Sequence, residues 1–489
     1  MDKKASIRQV FFYTLINYFG TLIGIVSALF LYPKDFVFLG TIRFVDNISQ
    51  ILFPVMVLGA SHALIKFYPA LTLERRNQLF NYSIYSITIL SIIVLAGVFL
   101  FTGLVDFEDS TLLYFAYPIA VSLAFIELFK KQSQDLQKIA VPTLFEKIIP
   151  KIVLPVLFIL LLSQSIGLQT SLFAYSACYV FILLLTAVYL FRYFKPGFNY
   201  RFKTLFGEIS KKDYFRYSLY SFAGSLGSLL AFRIDGIIIP ALISKEANGI
   251  FSNGVTLAST LQIPAIGLFA LYAPIISNYL KSESFAELNT KYKEVAKLLF
   301  FIGALLYSCI FLGIEDLFLM LPSYDKLKAT IPIILILGLS VLINMGTGFN
   351  SEIITYSKYY RFNLITVLLL IVLNVSLSLY FVYYTNLGIV GIAYASLLSM
   401  TLFNLSKLIF IYKKFRLQPF DESYLKMIVI FLICGVGVYL LPDTSSHLVN
   451  LLYKTGLSLF MNIMVIYRLK LVFQLNQWID KAIAKITGA

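Results

Sequence analysis

The 489-residue sequence is 59% hydrophobic and only 13% charged, yet it carries a formal net charge of +15 and a pI near 9.4. So little charge leaves no room for a large soluble domain. The three cysteines, Cys178, Cys309 and Cys434, all fall inside apolar segments, which excludes a disulfide framework and metal-ligand spacing.

About fourteen apolar stretches of spanning length follow one another, each near the roughly 20 residues a helix needs to cross hydrocarbon. The first, Val10 to Leu31, follows Asp2, Lys3, Lys4 and Arg8. It is too long for a signal peptide and lacks a small-residue cleavage site, so it reads as a span. The second holds Pro54 in mid-helix; Leu79 to Gly103 and Leu112 to Lys130 come next, and Glu127, Lys131, Glu146, Lys147 and Lys151 flank the fourth and fifth spans near the cytoplasmic side, where they read as snorkelling interface charges. The sixth is Leu168 to Phe191, and a basic connection from Arg192 to Lys212 separates it from the seventh. Pro264 marks the eighth, Leu364 to Tyr384 the eleventh, and Leu425 to Leu441 and Leu448 to Val465 close the series.

The connections alternate sharply in charge. Of the 40 lysines and arginines, 33 fall on one side, and the other holds only Lys34, Lys245, Lys326, Lys328 and Lys454 among Asp35, Asp106, Glu108, Asp109, Glu246, Glu315, Asp316 and Asp443. By the positive-inside rule the basic side is cytoplasmic, so both termini are expected there, with an even number of spans in the cell inner membrane. The excess charge is thereby assigned to orientation and to anionic membrane lipids, not to nucleic acid.

The halves echo each other weakly. Lys34 and Tyr68 bracket one proline-bearing span and Lys245 and Tyr279 the other, both pairs 34 residues apart. "IGLQTSLFAYS" at Ile166 to Ser176 similarly pairs with "LGIVGIAYAS" at Leu387 to Ser396. The expectation is an all-α membrane protein with two six-helix lobes related by pseudo-two-fold symmetry, residues 1–205 and 206–418, and an appended helix pair and tail over 419–489. Transporters built from repeats place their sites between such lobes.

No enzyme constellation is present. A Walker-type loop is missing, so this chain does not hydrolyse ATP; His62 and His447 read as local helix-end residues, and the external loops are too short for a membrane glycosyltransferase. No cofactor or metal is expected. The functional candidates are instead ionisable groups at membrane depth, each costing about 2.5 to 3.5 kcal/mol there. Arg43 and Asp46 share a helix face and read either as a self-neutralising pair or as cavity-lining. Arg233 and Asp235, two apart, point to different faces, which favours a hydrated space for Arg233. Glu352, after Gly346-Thr347-Gly348, is an interface charge or an ion site. Polar side chains on the second and eighth spans, Asn47 and Gln50 on one and Asn253 and Gln262 on the other, suggest a shared water-filled groove or buried polar helix contacts.

Arg8 before the first span, "LGASHALIKFYP" at Leu58 to Pro69, "RIDGIIIP" at Arg233 to Pro240 and "LGIVGIAYAS" opening the twelfth span together give a resemblance. The chain resembles the polysaccharide transporter, or O-antigen flippase-like, branch of the multidrug/oligosaccharidyl-lipid/polysaccharide (MOP) exporter superfamily. The resemblance implies a flippase for a polyprenyl-diphosphate-linked oligosaccharide in cell-surface polysaccharide biosynthesis. Arg43 and Arg233 would meet the diphosphate, with Asn47, Gln50, Asn253 and Gln262 lining the cavity. Asp46, Asp235 and Glu352 are the candidates for proton or sodium coupling, and rocking of the lobes, gated at Pro54 and Pro264, would alternate access. Alternatives are an ion-coupled multidrug exporter, a lipid II flippase, or a structural membrane partner of a polysaccharide polymerase and glycosyltransferase complex.

Overall fold

Helices make up every regular element in the computed structural model, which describes residues 19–104, 110–199, 201–359 and 361–487. Lys3, Lys4, Arg8, Asp106, Glu108 and Asp109 lie outside the described residues. The chain forms two compact units: one runs up to Ser27 and over Asp35–Gly249, the other takes Ala28–Lys34 and Ile250–Ala489.

α1 (Phe19–Lys34), which passes from the first unit to the second at Ala28, is followed in the first unit by α2 (Phe36–Val57), capped by Asp35, whose carboxylate accepts the Phe38 amide at 2.9 Å. It stops at Leu58 and Gly59, φ 44° and 77°, and the Leu58 N–H returns to the Pro54 carbonyl. The chain resumes as α3 (Ala60–Phe67), α4 (Leu73–Leu104), α5 (Leu112–Asp135), α6 (Ala140–Leu162), α7 (Leu168–Phe191), α8 (Phe202–Glu208), α9 (Lys211–Arg233) and α10 (Asp235–Leu242). Only glycine fits at position 59, because a Cβ there would stand 2.0 Å from the Ser218 carbonyl oxygen on α9. Helix α2 is the hub, packed on α4, α5, α9 and α10, and the first turn of α11 (Lys245–Ala258) joins it. There Gly40 and Gly249 bring backbone against backbone: a Cβ on Gly40 would lie 1.8 Å from the Lys245 carbonyl, and one on Gly249 1.9 Å from that of Phe36. Asn248 donates to the Gly40 carbonyl at 2.8 Å across the same contact.

The second unit continues α11 through a 3-10 segment, Ser259–Gln262, into α12 (Ile263–Lys281). It then comprises α13 (Phe285–Leu319), α14 (Tyr324–Leu327), α15 (Ile331–Gly346), α16 (Asn350–Tyr356), α17 (Arg361–Tyr384), α18 (Gly388–Phe415), α19 (Glu422–Tyr439), α20 (His447–Arg468) and α21 (Phe473–Thr487). Here α13 is the hub, touching α12, α15, α19 and α20. Pro264 differs from Pro54: it opens α12 after the 3-10 turn, where its missing N–H costs nothing, while Pro54 sits inside α2.

Ten described helices are long and apolar enough to cross a membrane. Four expected spans fall outside that set for physical reasons. The first begins among residues not described, the fifth carries Glu146, Lys147 and Lys151, the seventh breaks at Ile234, and the eighth is interrupted by the 3-10 segment. Leu100, Leu104, Tyr384 and Leu440 stand exposed with no aqueous reason to be so. The chain is a multi-pass membrane protein.

Candidate functional site

The break in the seventh span builds the site. α9 ends on Arg233 and α10 starts on Asp235, so a cation sits at a helix C-terminus and a carboxylate at a helix N-terminus, each favoured by the local dipole. Asp235 is half-buried beside the break. Arg233 reaches instead to α2: its Nη1 donates to Asp46 Oδ2 and to Asn47 Oδ1, both at 3.0 Å. From α7 the Tyr179 hydroxyl donates to Asp46 Oδ1 at 3.3 Å, with the Tyr175 hydroxyl 3.4 Å further on.

The two charges are unequally placed. The Asp46 side chain is 7% exposed and that of Arg233 is 36% exposed. Burial of the carboxylate is offset by the arginine charge, whereas the guanidinium is anchored through one nitrogen and keeps donors for other oxygens. The backbone is cut to this contact at Gly236 of "RIDG", where a Cβ would stand 1.8 Å from Asn47 Nδ2.

Arg43 lies one turn before Asp46 on α2, within electrostatic reach of Tyr175 and of Lys151 on α6. Lys151 in turn lies near Lys147, and its stem packs at Gly20, where a Cβ would be 3.0 Å from its Cδ. Arg43, Lys147 and Lys151 thus lie within electrostatic reach of one another beside the Arg233–Asp46 pair, a concentration of cations on α2, α6 and α9. Lys151 was assigned from sequence to the interface; its signal was the pair of helix-internal prolines on either side, Pro150 and Pro155.

Of the site residues expected from sequence, the first unit gathers Arg43, Asp46, Asn47 and Arg233, with Asp46 paired to Arg233. Gln50 lies further along α2, half-buried. In the second unit Asn253 is buried and donates to the Ala28 carbonyl at 3.1 Å, and Gln262 closes the 3-10 segment.

Glu352 belongs to a separate polar cluster of the second unit, on α16 after Gly348 at φ 66°. Asn404 Oδ1 accepts from Asn350 at 2.9 Å and Thr347 at 3.1 Å, and the Asn404 amide donates to Asn344 at 3.3 Å. Lys407, 1% exposed, donates to Ser351 at 2.8 Å, lies 3.8 Å from the Phe403 ring centroid and is within electrostatic reach of Glu352. Sequence reasoning placed Lys407 in a connection. Its signal was Asn404-x-x-Lys407, two polar residues on one helix face inside an apolar run.

The histidines serve locally: His62 lies by Ser61 near the start of α3, and His447 opens α20 with its Nδ1 2.9 Å from Asp316. Lys130 bridges Glu127 at 3.3 Å and Glu146 at 2.6 Å and so ties α5 to α6. Among the described residues no group of three or more His, Cys, Asp or Glu is placed to hold a metal.

No family model matches the sequence, and no curated protein matches it. Solved structures do. The lipid II flippase MurJ in an inward closed conformation aligns with TM-score 0.71 at 14% identity, covering 93% of this chain and 98% of its own. An inward-facing multidrug resistance MATE family transporter of the MOP superfamily aligns with TM-score 0.61 at 17% identity, over 81% and 94%. MATE in complex with MaL6 aligns with TM-score 0.55 at 15% identity, over 85% and 96%. At these identities the likeness is one of fold, and the chain has the all-helical membrane fold of the MOP-superfamily transporters.

Proposed function

We propose that this chain is a membrane flippase that carries a lipid-linked oligosaccharide, anchored through polyprenyl diphosphate, across the cytoplasmic membrane for cell-surface polysaccharide assembly. The observation that carries the reading is the cationic cluster of the first unit, with Arg233 held at one nitrogen and a third exposed. A diphosphate cannot enter hydrocarbon unaided, and bidentate guanidinium contacts are the chemistry that receives it. An apolar cavity of about 490 Å³ in the second unit, lined by Phe300, Tyr307, Phe311, Tyr424 and Phe431, fits an isoprenoid chain. The fold-level likeness to a lipid II flippase agrees with a lipid-linked substrate.

In this reading the Asp46–Arg233 pair couples transport to an ion. A proton on Asp46 removes the arginine's counter-charge and leaves it for the diphosphate, and Glu352 and Asp235 are the other carboxylates available. Both termini face the cytoplasm, and the chain is organised as repeats over 1–205 and 206–418 with 419–489 appended. A repeat boundary and the packing boundary at Gly249 are different properties of the chain. Lipid II itself is the second reading, favoured by the TM-score of 0.71 to MurJ.

The test is reconstitution of the purified chain in vesicles with polyprenyl-diphosphate oligosaccharide labelled on one leaflet. Translocation that drops at least tenfold in Arg233→Ala and partly persists in Arg233→Lys supports the reading. Movement of a lipophilic cation down a proton gradient, with no movement of lipid, would establish the multidrug exporter. Movement of neither would leave the structural partner.

A further inference from the structure

At the basic end of the second unit a polar pocket of about 290 Å³ opens between α13, the start of α19 and the α20–α21 turn. Lys293, Lys297 and Lys470 line it with Glu294, Asp421 and Ser423. Three of its charges are already satisfied: Lys297 pairs with Asp421 at 2.8 Å, and Glu294 is held by Lys291 at 2.7 Å. Lys293 and Lys470 remain, neither with a carboxylate at ion-pair distance among the described residues, Lys293 sharing the field of Asp421 with Lys297. Three lysines facing two carboxylates, one of them already held by Lys291 from outside the lining, leave the recess an excess of positive charge that describes an anion seat.

Local structure places Lys470 there at a cost. The Leu471 amide returns to the Ile466 carbonyl at 3.2 Å and the Lys470 amide to that of Tyr467 at 3.1 Å, closing α20 with Lys470 at φ 52°. That left-handed position suits glycine or asparagine, and a lysine there projects its charge from the turn.

The neighbouring helix says which anion. α21 packs Leu475 and Ile479 into the core of the unit, while Trp478 and Ile483 at the margins of the same apolar face are 54% and 46% exposed, and Lys481 and Lys485, three and seven residues after Trp478, lie on its side of the helix. A short amphipathic helix with an exposed tryptophan and lysines lies at the headgroup level of a bilayer. We propose that Lys293 and Lys470 seat the phosphate of an anionic phospholipid headgroup, which pins α21 and the ends of α13 and α19 to the membrane surface. The proposal rests on the chain being in a membrane and not on what it transports, so its failure leaves the flippase reading untouched.

Trp478 is the single tryptophan of the chain, so its fluorescence reports this site alone. The full-length protein is reconstituted in phosphatidylcholine vesicles containing brominated phosphatidylglycerol or, at equal mole fraction, brominated phosphatidylcholine. The proposal expects phosphatidylglycerol to quench with about tenfold preference, a preference that weakens with salt and disappears in Lys293→Gln/Lys470→Gln. Unchanged quenching of that variant by brominated phosphatidylcholine shows that α21 is still docked. Equal quenching by both lipids in the unmodified chain, or selectivity surviving in the variant, overturns the proposal. So does inorganic phosphate at millimolar concentration abolishing the preference, since the site would then take free phosphate.

Discussion

Replacing Arg233 by alanine should destabilise the protein more than replacing its partner. The alanine leaves Asp46, 7% exposed, with the Tyr179 hydroxyl at 3.3 Å as its remaining side-chain hydrogen-bond donor among the described residues. Breaking a fully buried pair from one side costs about 3 to 5 kcal/mol. Because Arg233 is 36% exposed, screening lowers the figure to about 2 to 3 kcal/mol. Asp46→Asn keeps an acceptor on Arg233 and leaves a partly hydrated cation, at about 1 kcal/mol. The double variant Arg233→Ala/Asp46→Asn removes the stranded charge and should recover about 1 to 2 kcal/mol over Arg233→Ala. Reversible denaturant unfolding of the protein in lipid nanodiscs measures all four corners of this cycle. If Asp46→Asn proves the more damaging single change, or the double variant is no better than Arg233→Ala, the carboxylate is not held by Arg233.

Gly236→Ala should displace the Asn47 amide, 1.8 Å from the added Cβ, lowering stability by about 1 to 3 kcal/mol and translocation with it; a variant with normal unfolding would refute the contact. Lys407→Met alone should cost about 1 to 3 kcal/mol, whereas Lys407→Met/Glu352→Gln should equal or exceed the unmodified chain, read as unfolding midpoints in the same nanodiscs. Burial works against the Asp421 carboxylate, but hydrogen bonds from Lys297 and the Tyr424 amide outweigh it and hold its pKa below the ordinary 3.8. The stability it contributes is present above that value and is lost as pH falls through the lower folded one. Lys297→Gln should therefore flatten the acid end of the stability profile, and an unchanged profile would exclude the pairing. Thiol labelling should reach Asp325→Cys from outside intact cells and Lys203→Cys only after permeabilisation; the reverse pattern ends the orientation argument.

The span rhythm was legible because membrane helices advertise themselves: 18 or more apolar residues have few alternatives, and Leu168 to Phe191 agrees with α7 residue for residue. Helix ends were less so. α13 begins at Phe285, well before its apolar run, because Lys291, Lys293, Glu294 and Lys297 continue the helix out of hydrocarbon. For Asp46, the sequence offered Arg43, three residues away, as partner, while the chain supplies Arg233 from 187 residues away. A pairing of that span is set by tertiary packing and leaves no local periodicity. Lys407 was hidden by Lys413, Lys414 and Arg416 behind it, which made an interior lysine look like the start of a connection.

The joint between α2 and the first turn of α11 has a mechanical corollary. Side chains that interlock resist both sliding and turning, but at Gly40 and Gly249 two bare backbones meet, pinned by the Asn248 amide on the Gly40 carbonyl. Such a joint fixes a point while leaving the angle soft, as a ball seated in a socket does. Any side chain larger than hydrogen at either glycine would turn that pivot into a wedge.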